Sequence, residues 1–254
     1  MGCRETRRMA MEKRERNAMK PIYKPKGAAG EYAEYALNIY TGCPNGCTYC
    51  YAPRVLRKSR EEFASSGALR KGLLPALSKQ LSSGAYEGKT IHLCFTCDPY
   101  PTGRSSWPTR DAIKMLKEAG CHVQLLTKNP SRAQDDWDLL DSEDWIGTTF
   151  SGDDSQEPRS DAEIDRIWWL AEAKKDGFNT WVSCEPVLDP VKVLAMIEEA
   201  DYIDLFKIGK LNHTKSYIDW ASFGRDAEAL CKRLGRNYVI KKDLREEMEK
   251  GGVT

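Results

Sequence analysis

Asn179-Thr180-Trp181-Val182-Ser183-Cys184-Glu185-Pro186-Val187 separates the two α/β architectures open to this chain. It is rich in β-branched and aromatic residues and stops near a proline, so it reads as a strand. Side chains alternate across a strand, which puts Ser183 and Glu185 on one face and Val182 and Cys184 on the other. Both neighbouring segments repeat the feature. In Trp145–Ser151, Thr149 and Ser151 share a face opposite Ile146 and Phe150, and in Ile203–Leu211 Lys207 interrupts an apolar run. A parallel sheet buried on both faces should read as near-continuous Val, Ile and Leu. Polar groups on one face of three successive strands predict a barrel-like curl around a wet or ligand-filled interior, with helices outside.

Upstream lie the candidate strands Tyr35–Thr41, Lys89–Asp98 and His122–Lys128; downstream, Tyr238–Ile240 is a short seventh, followed by a charged terminal helix. Helix-like stretches near 54–82, 105–119, 132–140, 159–176, 190–199 and 216–234 alternate with them. Ser105-Ser106 and Asp189-Pro190 suit helix starts, and Gly120, Gly177 and Gly235 suit helix ends. Six β-α units in one chain imply a parallel sheet with right-handed crossovers. Residues 1–30 stand apart, with nine Lys/Arg, three Glu and Pro21 and Pro25 ahead of Gly27-Ala28-Ala29-Gly30. They read as a basic extension and linker, leaving 31–254 as the barrel with its C-terminal helical segment.

The 254 residues are 41% hydrophobic and 30% charged, with 39 basic against 38 acidic side chains. A net charge of +1 gives no global field to recruit nucleic acid or anionic lipid. No apolar run approaches the ~18 residues of a membrane span. The start, MGCRETRRMAMEKRER, is charged with no apolar stretch behind it. With nine cysteines, an odd number, the expectation is a cytoplasmic protein whose clustered thiols bind metal or do chemistry.

The densest chemical signal is Gly42-Cys43-Pro44-Asn45-Gly46-Cys47-Thr48-Tyr49-Cys50-Tyr51, directly after the first predicted strand. Pro44 and Gly46 let the chain turn sharply enough for three sulfurs to converge. Such soft ligands select zinc or an iron–sulfur centre. A structural zinc site usually draws on paired C-x2-C units or added histidines, whereas His92, His122 and His213 are scattered along the sequence. A four-iron cluster normally has four cysteines, so three local ligands would leave one iron open to another ligand.

This C-x3-C-x2-C loop, with Tyr49 before its last cysteine, resembles that of the radical S-adenosylmethionine superfamily. The resemblance implies a partial (β/α)6 barrel and a [4Fe–4S] cluster on Cys43, Cys47 and Cys50. Its open iron would chelate S-adenosylmethionine, whose reductive cleavage yields a 5′-deoxyadenosyl radical that abstracts hydrogen. An electron donor such as flavodoxin or ferredoxin is implied with it. More narrowly, Glu31 to Cys43, Cys50-Tyr51-Ala52-Pro53, Asp98-Pro99-Tyr100, Thr127-Lys128 and Phe150-Ser151 resemble the spore photoproduct lyase-like branch, which includes DNA repair photolyase-like proteins. True lyases of that branch reverse a thymine dimer.

The resemblance implies roles for further residues. Tyr49 would pack by the adenine, Lys128 would neutralise the methionine carboxylate, and Ser151 would bind that carboxylate or the ribose hydroxyls. Many family members hold the methionine ammonium with Gly-Gly-Glu after strand two; here the segment is Thr96-Cys97-Asp98-Pro99, leaving Asp98 as a candidate partner. Each has a simpler reading: loop packing for Tyr49, an Asp-Pro turn for Asp98, a solvated lysine, a helix cap for Ser151. Glu185 and Lys207, both interior, either bind substrate or pair with each other. The lyases use a thiol near the end of strand two as hydrogen donor; aligning Asp98 places Phe95 there, with Cys94 and Cys97 on either side. Alternation puts Cys94 on the face of Asp98 but deep in the strand. Cys97 needs only a kink before Pro99 to turn inward, and is the favoured donor ahead of Cys94. Cys121, Cys184 and Cys231 read as core.

For substrate, the family resemblance and local charge point to DNA or RNA. Arg4, Arg7, Arg8, Lys13, Arg14, Arg16, Lys20, Lys24 and Lys26, then Arg54, Arg57, Lys58 and Arg60, suit phosphate contacts, with the lesion extruded into the barrel. Two alternatives stand beside it: radical modification of a peptide or small molecule, and a non-enzymatic iron–sulfur or zinc-binding module.

Overall fold

Eight strands hydrogen-bond side by side in sequence order, an arrangement in which each crossover returns the chain to the next free sheet edge. The computed structural model describes residues 19–212 and 214–250. The strands are β1 Ile22–Tyr23, β2 Tyr35–Leu37, β3 Thr90–Leu93, β4 His122–Leu125, β5 Trp145–Thr149, β6 Asn179–Cys184, β7 Leu205–Ile208 and β8 Tyr238–Ile240. All pairs are parallel except β1·β2, which is antiparallel. The helices are α1 Ala52–Val55, α2 Arg60–Ser66, α3 Leu73–Leu81, α4 Trp107–Glu118, α5 Pro130–Ala133, α6 Glu163–Lys175, α7 Pro190–Glu199, α8 Trp220–Leu234 and α9 Lys242–Lys250. The expected α/β barrel-like class is the observed one.

The two faces of the sheet differ in chemistry. Ile91, Leu93, Val123 and Leu125 pack in one apolar core with α3 and α4; Val182, Cys184, Phe206 and Ile208 pack in a second with α6 to α9. The alternate residues point inward: His92, Gln124, Trp181, Ser183 and Lys207. His92 Nδ1 meets Gln124 Oε1 at 3.0 Å, and Trp181 Nε1 donates to the Leu125 carbonyl at 2.9 Å. Gly147 makes room for that indole, since a Cβ there would lie 2.2 Å from Trp181 Nε1. The polar interior read from the later strands is therefore real, and it stays folded because its groups bond one another.

Three features depart from expectation. The sheet begins at Ile22, inside the segment read as extension and linker, and Gly27–Glu31 forms a 3-10 turn; the basic residues up to Arg16 lie outside the described residues. The helical stretch 54–82 is three helices, interrupted where Arg57, Gly67 and Gly72 take positive φ. The hydrogen-bonded strands are shorter than their hydrophobic runs: Lys89–Asp98 pairs only over Thr90–Leu93. Past Leu93 the chain bends away, so strict alternation no longer governs Cys94 to Asp98. By contrast α7 matches the expected bounds, its start fixed by Pro190 and by the Asp189 carboxylate capping the Val191 and Lys192 amides.

Candidate functional site

The cysteine loop is held by its backbone before any side chain acts. Cys43 N donates to Phe63 O at 3.1 Å, Thr48 N to Gln156 O at 2.9 Å, and Arg159 N to Asn45 O at 3.2 Å. Gly42 is required because a Cβ there would sit 2.2 Å from the Phe63 carbonyl. Cys43, Cys47 and Cys50 are all half-buried, and all three line one cavity of about 510 Å³ at the C-terminal ends of the strands. Burial raises the pKa of each thiol, Cys47 to about 11. The free thiols are therefore protonated at neutral pH, and a metal centre must displace their protons.

The donor set fits an iron–sulfur cluster better than a single zinc ion. Tetrahedral zinc with Zn–S of about 2.3 Å needs sulfurs about 3.8 Å apart. Among the described residues the group whose ligand atoms gather within 4.8 Å is His122, Asp141 and Glu143, at the surface; the three cysteine sulfurs stand wider. Three soft ligands open to one cavity suit a multinuclear centre with a free coordination position.

Asp98 ties this loop to the strand ends. One carboxylate oxygen accepts from Tyr100 N (2.8 Å) and Thr127 Oγ1 (2.6 Å), the other from Asn45 Nδ2 (3.1 Å) and Lys128 N (2.8 Å). Asn45, within the cysteine loop, is only 1% exposed. Asp98 lines the cavity, and its four hydrogen bonds give it an organising role beyond an Asp-Pro turn.

Lys128 and Tyr49 also line it and share one partner. Lys128 Nζ meets Glu157 Oε1 at 2.9 Å and lies 5.5 Å from the Tyr49 ring centre; the Tyr49 hydroxyl donates to the same Glu157 oxygen. Burial lowers Lys128 to about 8 and raises Glu157 to about 7, the latter against the pull of Arg166. Ser151 is elsewhere. Its hydroxyl donates to Glu163 Oε1 at 2.9 Å, it is fully buried, and Thr149 takes its place in the cavity wall. β5 ends at Thr149, which is why alternation misplaced Ser151.

The far wall holds a second polar knot. Glu185 accepts from Tyr32 Oη (2.7 Å), Asn212 Nδ2 (3.1 Å) and Lys241 Nζ. Of the two readings open for Glu185 and Lys207, mutual pairing is not the one seen. Lys207 Nζ donates to Tyr32 O at 2.7 Å over the Tyr32 and Trp181 rings, and burial followed by the nearby Lys241 charge lowers its pKa to about 8. Cys94 and Cys97 both line the cavity. Cys97 Sγ accepts from Tyr40 N at 3.4 Å. Burial raises Cys94; at Cys97 the hydrogen bonds from Cys94 and the Tyr40 and Ile39 backbone outweigh burial and lower the pKa. Cys121, Cys184 and Cys231 are core, as expected.

Sequence reasoning missed Tyr32, Asn45, Glu157, Asn212 and Lys241. Asn45 was signalled by its place among the cysteines; the others reach the site only through tertiary structure.

The sequence matches no known protein-family model and no curated protein. Solved structures do match. A spore photoproduct lyase double mutant with bound AdoMet and dinucleoside spore photoproduct aligns at a TM-score of 0.57 and 16% identity, over 82% of this chain and 64% of that one. A single mutant of the same enzyme aligns at 0.60 and 15%, over 88% and 66%. Streptococcus suis SuiB bound to precursor peptide SuiA aligns at 0.58 and 12%, over 92% and 60%. The chain thus spans just under two thirds of the length of the proteins it resembles. The chain shares its fold with spore photoproduct lyase and with SuiB.

Proposed function

We propose that the chain is a radical S-adenosylmethionine enzyme acting on a nucleic acid lesion presented at the mouth of the barrel. The observation that carries the cofactor reading is the convergence of Cys43, Cys47, Cys50, Tyr49, Asp98 and Lys128 on one cavity. Cys43, Cys47 and Cys50 would hold a [4Fe–4S] cluster, which when bound supplies the electron that cleaves S-adenosylmethionine and so the radical that takes a hydrogen atom.

The chain's own residues prepare the site. Asp98 fixes the loop that carries the thiols through Asn45. Lys128, poised against Glu157, offers an ammonium to a carboxylate, and Tyr49 offers a ring face to the adenine. Cys94 and Cys97 place S–H bonds at the cavity wall, where Cys97 is the favoured hydrogen donor to a substrate radical.

A cavity of about 510 Å³ is the size of a single-ligand pocket. The cofactor would occupy much of it, so the substrate reaches in from outside. Lining residues exposed at the mouth include Lys26, Tyr51 and Val55, with Lys210 beside them. Cationic and aromatic groups together suit a phosphate backbone and an extruded base. The SuiB likeness supports a second reading, a peptide side chain at the same mouth.

Anaerobic reconstitution tests the cofactor reading: the protein should bind iron and sulfide, colour brown and convert S-adenosylmethionine to 5′-deoxyadenosine under a reductant. Mass spectrometry of ultraviolet-irradiated DNA incubated with it then tests the substrate. Dimer loss supports the lesion reading. 5′-Deoxyadenosine formation that no irradiated DNA stimulates would reject it.

A further inference from the structure

Cys43, Cys47, Cys50 and Phe63 line a second cavity, of about 660 Å³, whose remaining walls share no residue with the first: Gly46, Thr48, Pro53, Arg60, Glu61, Ala64, Ser65 and Arg159. The thiols thus belong to two spaces, one continuous with the barrel interior and one built from the cysteine loop and α2.

Arg60 and Arg159 line this second space, and Arg104 is bonded to its wall at Ser65. Arg60 Nη1 donates to the Cys47 carbonyl at 3.3 Å. Arg104 Nη2 donates to Ser65 O at 2.6 Å, and Arg132 Nη2 donates to Arg104 O. Arg159 N donates to Asn45 O, while its own carbonyl accepts from Thr102 Oγ1. Arg60, Arg104 and Arg159 are exposed and Arg132 is half-buried behind them. Elsewhere the guanidiniums of Arg110, Arg166, Arg233 and Arg245 meet carboxylates. Among the described residues no such ion pair is seen for Arg60, Arg104, Arg132 or Arg159. With Glu61 the acidic residue in the cavity wall, the face keeps a net positive field against the thiols.

We propose that this arginine face is the docking surface for an acidic one-electron carrier protein, which reduces the cluster from outside the barrel. The inference rests on the cofactor reading above. The exchange moves one electron: the carrier is oxidised, the cluster is reduced, and no bond forms or breaks. The position favours a carrier over a nucleic acid. A substrate must bring its reacting carbon into the first cavity, whose wall contains none of the four arginines. A carrier needs only closeness to a cysteine sulfur, and Arg60 reaches the backbone of Cys47 itself. Long-range attraction of opposite charge would raise the association rate and make it fall steeply with salt.

The test uses the reconstituted protein, with a purified ferredoxin and a flavodoxin, both acidic, as probes. Binding of the oxidised probes is measured by biolayer interferometry, and cluster reduction by stopped-flow bleaching of its visible absorbance, at low and at physiological ionic strength. Arg104→Gln with Arg159→Gln should weaken binding and slow reduction at least tenfold at low salt. Reduction by a small neutral photoreductant, a deazaflavin, should be unchanged. Equal binding and equal rates in parent and variant would overturn the proposal, as would rates insensitive to salt. Loss of duplex-DNA affinity in the variant with carrier rates intact would reassign the face to nucleic acid and also overturn it. Absence of iron in the reconstituted parent would instead defeat the cofactor reading, so the two failures are distinguishable.

Discussion

Replacing Asp98 with Asn tests whether this carboxylate is a structural knot or an open ligand for the cofactor. The parent accepts four hydrogen bonds, two on each oxygen. Asparagine keeps one oxygen and turns an NH2 toward a pair of donors. In the less costly orientation the Thr127 hydroxyl rotates to accept, and Tyr100 N alone loses its partner. In the other, Asn45 Nδ2 and Lys128 N both lose theirs. A buried donor left unpaired costs about 1–3 kcal/mol. The surviving bonds drop from charge-assisted to neutral, roughly halving their strength. Together these come to about 3–5 kcal/mol, a large part of the ~5–15 kcal/mol that holds a domain folded. At about 2–4 °C per kcal/mol for a chain of this size, Asp98→Asn should melt about 10 °C below the parent. Because Asn45 belongs to the cysteine loop, iron retention should fall with stability. Differential scanning calorimetry of the metal-free protein, followed by iron content after reconstitution, reads both. A variant melting within ~2 °C of the parent, with full iron but weakened S-adenosylmethionine binding, would refute the knot and leave Asp98 as a direct ligand.

Three other outcomes are expected. Cys43→Ala, Cys47→Ala and Cys50→Ala should each abolish the visible absorbance of the reconstituted protein, since two thiolates do not hold a cubane with an open iron; full iron in any of them contradicts the assignment. Gly147→Ala drives a methyl into the Trp181 indole, 2.2 Å from Nε1, and should destabilise by about 1–3 kcal/mol or more with a shift in tryptophan emission; an unchanged melting temperature would show that the indole moves freely. Lys207 has a folded pKa of about 8, below its unfolded value of about 10.4, so its burial penalty is full below pH 8 and vanishes above the unfolded pKa. Stability of the parent relative to Lys207→Met should therefore rise between pH 7 and pH 10; denaturant unfolding that gives the same difference at both pH values contradicts a buried ammonium.

The parts of this structure legible in the sequence were those set locally. α7 was readable to the residue because Asp189-Pro190 is both cap and first turn. Three cysteines within eight residues converge on one cavity, as their spacing alone implies. The polar interior followed from alternation along Asn179–Cys184, a strand that stays regular to its end. Alternation failed where pairing stopped. Beyond Thr149 the chain is no longer strand, so the orientation expected of Ser151 had no lattice to rest on, whereas Cys94 and Cys97, past the end of β3, both reach the cavity wall. Partner choice failed for a different reason. Glu185 and Lys207 share an interior, but Lys241, just past the end of β8 and 56 residues further on, reaches Glu185, and no spacing rule encodes that contact.

The same contact explains how an open sheet keeps a closed interior. β1 and β8 are its two edges and do not pair, so nothing in the ladder joins the beginning of the barrel to its end. Tyr32 does so by side chain. Its hydroxyl bonds Ser183 and Glu185, its carbonyl accepts from Lys207, and its ring lies under the Lys207 and Lys241 ammonium groups. One residue away, Glu31 accepts from Lys242 N at 2.8 Å. Burial raises the Tyr32 phenol well above its ordinary pKa, which keeps it a donor. Glu185 thus receives the Tyr32 hydroxyl together with the Lys241 ammonium, and its charge is compensated without a neighbouring strand. Because these bonds depend on the segment from Ile22 to Tyr32, that segment is part of the barrel wall. The cavity it encloses is bounded at one end by the Asp98 knot, which positions the thiols, and at the other by the Glu185 knot, which closes the sheet.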